Sequence, residues 1–96
     1  MNAEAKELFR KAVLRVLDSN RSRYGLGVVA IGHQLMPFGF SARHFDSAEA
    51  FSNAIADALQ YLGDKKFLEE VGKAISQENR AWRIAGAGIA YLDEQG

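Results

Sequence analysis

The sequence predicts a small, mainly helical α+β domain with a β-hairpin near its C-terminal end. Stripes of apolar residues recur at helical spacing through the first part of the chain, and two short strand-like segments follow them. With 96 residues, the chain is long enough for one modest hydrophobic core. We therefore expect a single domain over residues 1–96, built from three helices, a two-stranded hairpin and a short terminal helix.

The first helix is predicted at about residues 3–18. Charged side chains such as Glu7 and Arg15 fall on one face, and apolar side chains follow the i, i+3, i+4, i+7 rule on the other. The polar pair Ser19 and Asn20 ends the pattern. The apolar face consists of Ala5, Leu8, Phe9, Ala12, Val13, Val16 and Leu17.

The second helix is predicted at about residues 26–36. Its apolar face is formed by Val28, Ile31 and Leu35, and Pro37 stops the pattern because a helix usually ends before a proline. Three glycines lower the intrinsic stability of this helix, by about 1 kcal/mol each relative to alanine at interior sites. We expect packing to hold it. The glycines are Gly25, Gly27 and Gly32.

The third helix is predicted at about residues 47–62. Asp46 or Ser47 is suited to cap its N-terminus, and Gly63 is suited to end it. The helical spacing of its apolar residues indicates one buried face. These residues are Phe51, Ala54, Ile55, Ala58, Leu59 and Leu62.

Two short strands are predicted at about residues 66–71 and 81–85, and a polar loop at 72–79 joins them into a hairpin. On the second strand, Trp82 is expected to point inward and to pack against Tyr91 or the first helix. A short terminal helix is predicted at about 86–94.

This order of elements, and two segments in particular, resemble the winged helix-turn-helix domain family. ALQYLGDKKFLEEV (58–71) is similar to the passage from recognition helix to wing that such domains write as "aL-YL-dkGlie-v". WRIAGAGIAYLDE (82–94) is similar to their common ending. Ala85 stands where the family often has a capping threonine, so we expect the terminal helix to begin late or to fray.

A narrower resemblance concerns two further segments. VLDSNRSRYGLGVVAIG (16–32) and ISQENRAWRIAGAGIAYLDEQG (75–96) look like small uncharacterised proteins of Mu-like phages and prophages. This resemblance implies a mobile-element context.

Composition argues against several classes of protein. The chain has no cysteine, and its two histidines, His33 and His44, stand apart, so we expect no metal site. No serine lies in a nucleophile-elbow context. Neither a secretory signal nor a membrane span is visible. We expect a cytoplasmic, non-enzymatic protein.

One short motif resembles a dinucleotide fingerprint. Residues 25–30, GLGVVA, satisfy G-x-G-x-x-A, but that motif requires a buried strand immediately before it. The polar turn DSNRSRY precedes it instead. We therefore expect no nucleotide cofactor.

The winged-helix resemblance implies that the third helix enters the major groove of DNA. Its outward residues Ser52, Asn53 and Gln60 are the candidates to read base edges, since Asn and Gln pair naturally with adenine. The electrostatics oppose this role, because residues 46–63 carry three acids and no base, and the chain has zero net charge. Basic residues elsewhere are candidates to contact phosphates. They are Arg21, Arg23, Arg43, Lys73, Arg80 and Arg83.

A second hypothesis is a protein-interaction or assembly module on the same scaffold. An acidic third helix suits a protein partner better than DNA. Phe38, Phe40 and Phe45 lie in a connection rather than in a helical stripe, and exposed apolar residues of this kind mark interfaces. A homodimer contact through these side chains is one form of this hypothesis.

Overall fold

The computed structural model describes residues 2–72 and 80–95. In these residues the chain folds into helices and one antiparallel hairpin. The predicted α+β class, mainly helical with a two-stranded hairpin, is confirmed. Most of the predicted loop at 72–79 lies outside the described residues. Two 3₁₀ turns, Met36–Phe38 and Ala42–His44, connect α2 to α3. The elements are α1 Ala3–Ser19, α2 Val28–Gln34, α3 Ala48–Asp64, β1 Leu68–Val71, β2 Ala81–Ile84 and α4 Gly86–Gln95.

Helix α1 is amphipathic and is capped by Asn2, whose Oδ1 accepts a hydrogen bond from the Ala5 backbone N–H at 2.8 Å. Its predicted apolar face is buried from Phe9 onward, whereas Leu8 is 55% exposed. Leu14, which lies outside the predicted stripe, is fully buried. The core therefore covers more of the C-terminal half of α1 than the periodicity indicates.

Helix α2 is shorter at both ends than the predicted span of 26–36. Leu26 is not helical, because it exchanges two backbone hydrogen bonds with Trp82, at 2.8 and 2.9 Å. Gly25 adopts a left-handed conformation (φ +68°), and a Cβ there would lie 2.6 Å from the Trp82 carbonyl oxygen. Gly25 and Gly27 thus lie in the segment before α2 that contacts the hairpin, and of the three glycines Gly32 alone lies inside α2.

Helix α3 continues past Gly63, the residue at which the sequence indicates its end. Gly63 is needed for packing, since a Cβ there would lie 2.8 Å from the Trp82 ring. The left-handed residue after the helix is Lys66 (φ 67°). At the other end Ser47 caps the helix through its side chain, as one of the two predicted alternatives.

The hairpin pairs Leu68 with Ile84 and Glu69 with Arg83. Since side chains alternate along a strand, Trp82 and Ile84 both point into the core, where they are buried. Strand β2 lies between β1 and the single bridging residue Leu26, so one strand ties the hairpin to the start of α2.

Helix α4 begins at Gly86 without delay, which differs from the late start expected from Ala85. The Ala85 carbonyl accepts the first helical hydrogen bonds, and Gly88 fits beneath the Phe67 carbonyl, where a Cβ would lie 2.3 Å from the oxygen. Tyr91 stacks on Phe67, with ring centroids 4.7 Å apart, and not on Trp82.

The core lies between α1, α2, α3 and the inner face of the hairpin. Its aromatic end is built by Phe9 and Phe51 together with residues of the α2–α3 connection. Within the described ranges, none of the helices has the length and apolar character needed to cross a membrane.

Candidate nucleic-acid interface

The outer face of α3 presents the three side chains that the sequence predicts as base readers. Ser52, Asn53 and Gln60 are all exposed. Glu49 and Asp57 are exposed on the same helix, so the acidic character anticipated from the sequence is present at the surface. The face is therefore polar and hydrogen-bonding, but it is not basic.

The base of the hairpin adjoins this face through Arg80. The Arg80 Nη1 atom lies 3.5 Å from Gln60 Oε1, and the Gln60 Nε2 atom donates to Asp64 Oδ1 at 3.0 Å. The Arg80 guanidinium also covers the Trp82 ring, 4.7 Å from its centroid. Because Trp82 is buried against Gly63, the core places the hairpin beside the exposed side of α3.

Arg83 in β2 and Arg80, directly before β2, are both paired with acids of β1. Arg80 donates to both carboxylate oxygens of Glu70, the longer hydrogen bond being 3.3 Å, and Arg83 donates to Glu69. The sequence analysis named Arg80 and Arg83 as phosphate contacts and did not identify these glutamates as their partners. The register supplies them, since Glu69 lies directly opposite Arg83.

Three of the predicted phosphate contacts line one groove on the hairpin. We call it the arginine groove; its volume is about 310 Å³. Arg21 is paired with Asp18 at 2.6 Å, and Arg23 donates to the Tyr24 hydroxyl at 2.7 Å. None of the base-facing candidates borders this groove, so the structure divides the predicted contacts between two places. The groove is lined by Arg21, Ser22, Arg23, Arg83, Ile84 and Ile89.

The two remaining phosphate candidates lie elsewhere in the sequence. Arg43 is exposed in the 3₁₀ turn that leads into α3, and it makes no hydrogen bond or ion pair within the described part of the chain. Lys73 lies outside the described residues. Arg43 is thus the candidate cation whose charge remains available next to α3.

The phenylalanines predicted as an interface have two different environments. Phe40 packs edge-on against Phe9, with centroids 5.0 Å apart, and Phe45 lies 5.1 Å from Phe51. These two side chains are accounted for by packing within the chain. Phe38 is 39% exposed.

The sequence analysis did not identify two further exposed apolar side chains, Val29 and Met36. They are 71% and 68% exposed and border a groove of about 320 Å³ between α2 and α3. The sequence contained a signal for Val29, since this residue lies off the helical face formed by Val28, Ile31 and Leu35.

His33 and His44 are exposed, and His44 Nδ1 accepts a hydrogen bond from the Ser41 backbone N–H at 3.2 Å. Over residues 2–72 and 80–95, no group of three or more His, Cys, Asp or Glu side chains is arranged to hold a metal ion. The histidines are therefore local surface features of the α2–α3 region.

No protein-family model, curated protein or solved structure matches the chain. Three features of the molecule bear on its function: the element order, the polar face of α3, and the positions and partners of its cations.

Proposed function

We propose that this protein is a winged-helix DNA-binding protein of transcription-regulator type. The observation that supports it most directly is the contact between Gln60 on α3 and Arg80 at the hairpin base. It joins the outer face of α3 to the hairpin as one continuous surface. The bridge between Leu26 and Trp82 ties the segment before α2 to the edge of β2 that does not pair with β1.

In this proposal α3 lies in the major groove of duplex DNA. Ser52, Asn53 and Gln60 face the base edges, where the two amides are suited to adenine. Arg43 and Arg80 flank α3 and contact the phosphate backbone. Arg21, Arg23, Lys73 and Arg83 would extend those contacts along the DNA on the hairpin side.

The ion pairs of the hairpin determine what affinity to expect. Glu69 and Glu70 neutralise Arg83 and Arg80, so phosphates must compete with carboxylates for each guanidinium. Affinity for random-sequence DNA depends on how many cations neutralise phosphates. We therefore expect weak binding to random-sequence DNA, and stronger binding when the competing carboxylates are removed.

The test is fluorescence anisotropy with a random-sequence duplex between about 50 and about 200 mM salt. The variant Glu69→Gln/Glu70→Gln keeps the shape of both side chains and removes two charges. It should bind DNA more tightly than the native protein and with a steeper salt dependence. The matched control is Glu4→Gln/Glu94→Gln, which makes the same charge change at exposed positions of α1 and α4.

Two outcomes contradict the proposal. One is the absence of detectable DNA binding by the native protein and by Glu69→Gln/Glu70→Gln at low salt. The other is an equal gain in the two charge-matched variants, because that gain would reflect net charge alone and not the hairpin.

The alternative function, a protein-interaction or assembly module, is favoured by the exposed apolar side chains Val29, Met36 and Phe38. A homodimer through this surface should appear as a concentration-dependent mass in light scattering. Met36→Glu should abolish it, whereas Leu8→Glu, at another exposed apolar position, should not. A monomeric native protein at high concentration would exclude the homodimer.

A further inference from the structure

A cavity of about 470 Å³ lies between α1, the C-terminal end of α3 and α4. Its size is within the range of about 300–1,000 Å³ typical of small-molecule sites. Three aromatic side chains, Tyr61, Phe67 and Tyr91, border it, and Leu14 and Leu62 supply apolar surface. We call it the aromatic cavity.

The aromatic cavity is also bordered by three cations, Arg10, Lys11 and Lys65, and by one acid, Glu7. None of the three cations forms an ion pair with any residue in the described ranges. Their positive charge is therefore not neutralised as it is in the hairpin. A concave surface with this excess of positive charge attracts anions.

Arg10 is held in a defined position by an aromatic ring. Its guanidinium carbon lies 3.6 Å from the centroid of Tyr61, and the Lys65 ammonium lies 5.6 Å from the same centroid. A guanidinium that stacks on a ring keeps its N–H donors at its edge, and within the described residues Arg10 forms no ion pair. Such a group is ready to bind a carboxylate or phosphate through two parallel hydrogen bonds.

Lys11 is oriented by a neutral partner. Its Nζ atom donates to Gln95 Oε1 at 3.1 Å, which links α1 to the end of α4. An ammonium hydrogen-bonded to an amide keeps its full charge and has further donors. Lys11 thus adds a second positive group on the same wall as Arg10.

We propose that the aromatic cavity binds a small aromatic anion, a planar ring that carries a carboxylate or a phosphate. The ring lies against Phe67 and Tyr91, and the anionic group receives hydrogen bonds from Arg10 and Lys65. This site is separate from the α3 face described above. Tyr61 follows Gln60 by one residue, which turns it about 100° around the helix axis.

The test is a titration of ¹⁵N-labelled protein with 2-naphthoate, 2-naphthyl phosphate and 2-naphthamide, followed by amide chemical shifts. The first two probes carry the two anionic groups on one ring, and the third is a neutral analogue of nearly the same shape. At least one anion should shift the amides of Arg10, Tyr61, Lys65 and Tyr91. The neutral amide should bind about tenfold more weakly, as expected when a charge-assisted hydrogen bond is lost.

Variants assign the binding to this cavity. Arg10→Gln should weaken 2-naphthoate binding about tenfold, the ratio that corresponds to about 1.4 kcal/mol. Arg15→Gln, at an exposed position of the same helix that does not border the cavity, should leave it unchanged. If Arg10→Gln does not fold, Lys65→Gln replaces it, since Lys65 is an exposed side chain at the end of α3.

The proposal is overturned if naphthamide binds as well as the better anion, because the cations would then make no contribution. It is also overturned if Arg10→Gln and Arg15→Gln weaken binding equally, or if the shifted amides surround Val29 and Met36 instead. Shifts confined to the cavity with either anion support it, and the preferred anion identifies the chemical group recognised.

Discussion

The hairpin and the aromatic cavity present basic residues in opposite states. In the hairpin, Arg80 and Arg83 are each paired with a glutamate of the neighbouring strand. At the cavity, Arg10 stacks on Tyr61 and has no carboxylate partner within the described residues. Sequence position alone indicated the reverse, since the hairpin arginines were the candidates for binding an anion. Whether a cation is available for a ligand depends on which residues the fold places beside it.

The largest expected effect is on the free energy of unfolding, which should fall much more for a variant in the hairpin than for a variant at the cavity. Trp82→Ala removes a buried side chain that packs on Gly63, and it should lower the free energy of unfolding by about 3–5 kcal/mol. Tyr61→Leu alters a side chain that is 37% exposed at the cavity, and it should cost less than about 1 kcal/mol. Denaturant unfolding measures both. Equal losses would contradict the view that the hairpin is anchored more deeply than the cavity wall.

A smaller effect is expected from Gly63, which lies between the two regions. In Gly63→Ala the added methyl would lie 2.8 Å from the Trp82 ring, and overpacking of this kind costs about 1–3 kcal/mol. Gly86→Ala is the control, since a Cβ there meets no heavy atom within 4 Å. Thermal unfolding of the two variants should show a loss only for Gly63→Ala. A Gly63→Ala variant as stable as the native protein would show that Trp82 can move.

A substitution in the turn between α3 and β1 should stabilise the protein. Lys66 has φ 67°, a left-handed conformation that costs a side-chain-bearing residue about 1 kcal/mol. Lys66→Gly should therefore raise the free energy of unfolding by up to about 1 kcal/mol, whereas Lys66→Ala keeps the strain and should not. Denaturant unfolding of both variants checks this expectation, and it fails if alanine stabilises the protein as much as glycine.

The smallest effect concerns the stability supplied by the hairpin ion pairs. Arg83 and Glu69 are 42% and 50% exposed, and exposed pairs contribute about 0.2–1 kcal/mol. A double-mutant cycle with Arg83→Gln and Glu69→Gln should give a coupling energy in that range, decreasing with salt. A coupling above about 2 kcal/mol would mean that the pair is structural, and the arginine would then be a poor candidate to exchange its carboxylate for a phosphate.

Helices α1 and α3 were predictable because their signals are local. A run of apolar residues at helical spacing indicates both the helix and its buried face, and it also places Ser52, Asn53 and Gln60 on the outside. The left-handed Lys66 had a signal as well, since the winged-helix pattern "dkG" that residues 64–66 resemble has glycine at this position. Sequence reasoning instead assigned the helix end to Gly63, because glycine is the usual residue there.

The remaining differences come from contacts between residues distant in sequence. Leu26 is not helical because Trp82 offers it two backbone hydrogen bonds. Position 63 lies inside a helix and has glycine because the Trp82 ring occupies the space that a side chain would need. Helix α4 lies close to Phe67 because Gly88 has no side chain that would meet the Phe67 carbonyl. Local propensity contains no information about any of these neighbours.

By itself, the sequence determined the helical stripes, the exposed polar face of α3 and the presence of a hairpin, because all three follow from periodicity along the chain. Only the tertiary structure decided which charges are neutralised. Glu69 meets Arg83 through the strand register, and Arg10 meets Tyr61 through the packing of α1 on α3. Electrostatic interactions act between neighbours in space, and the fold chooses those neighbours.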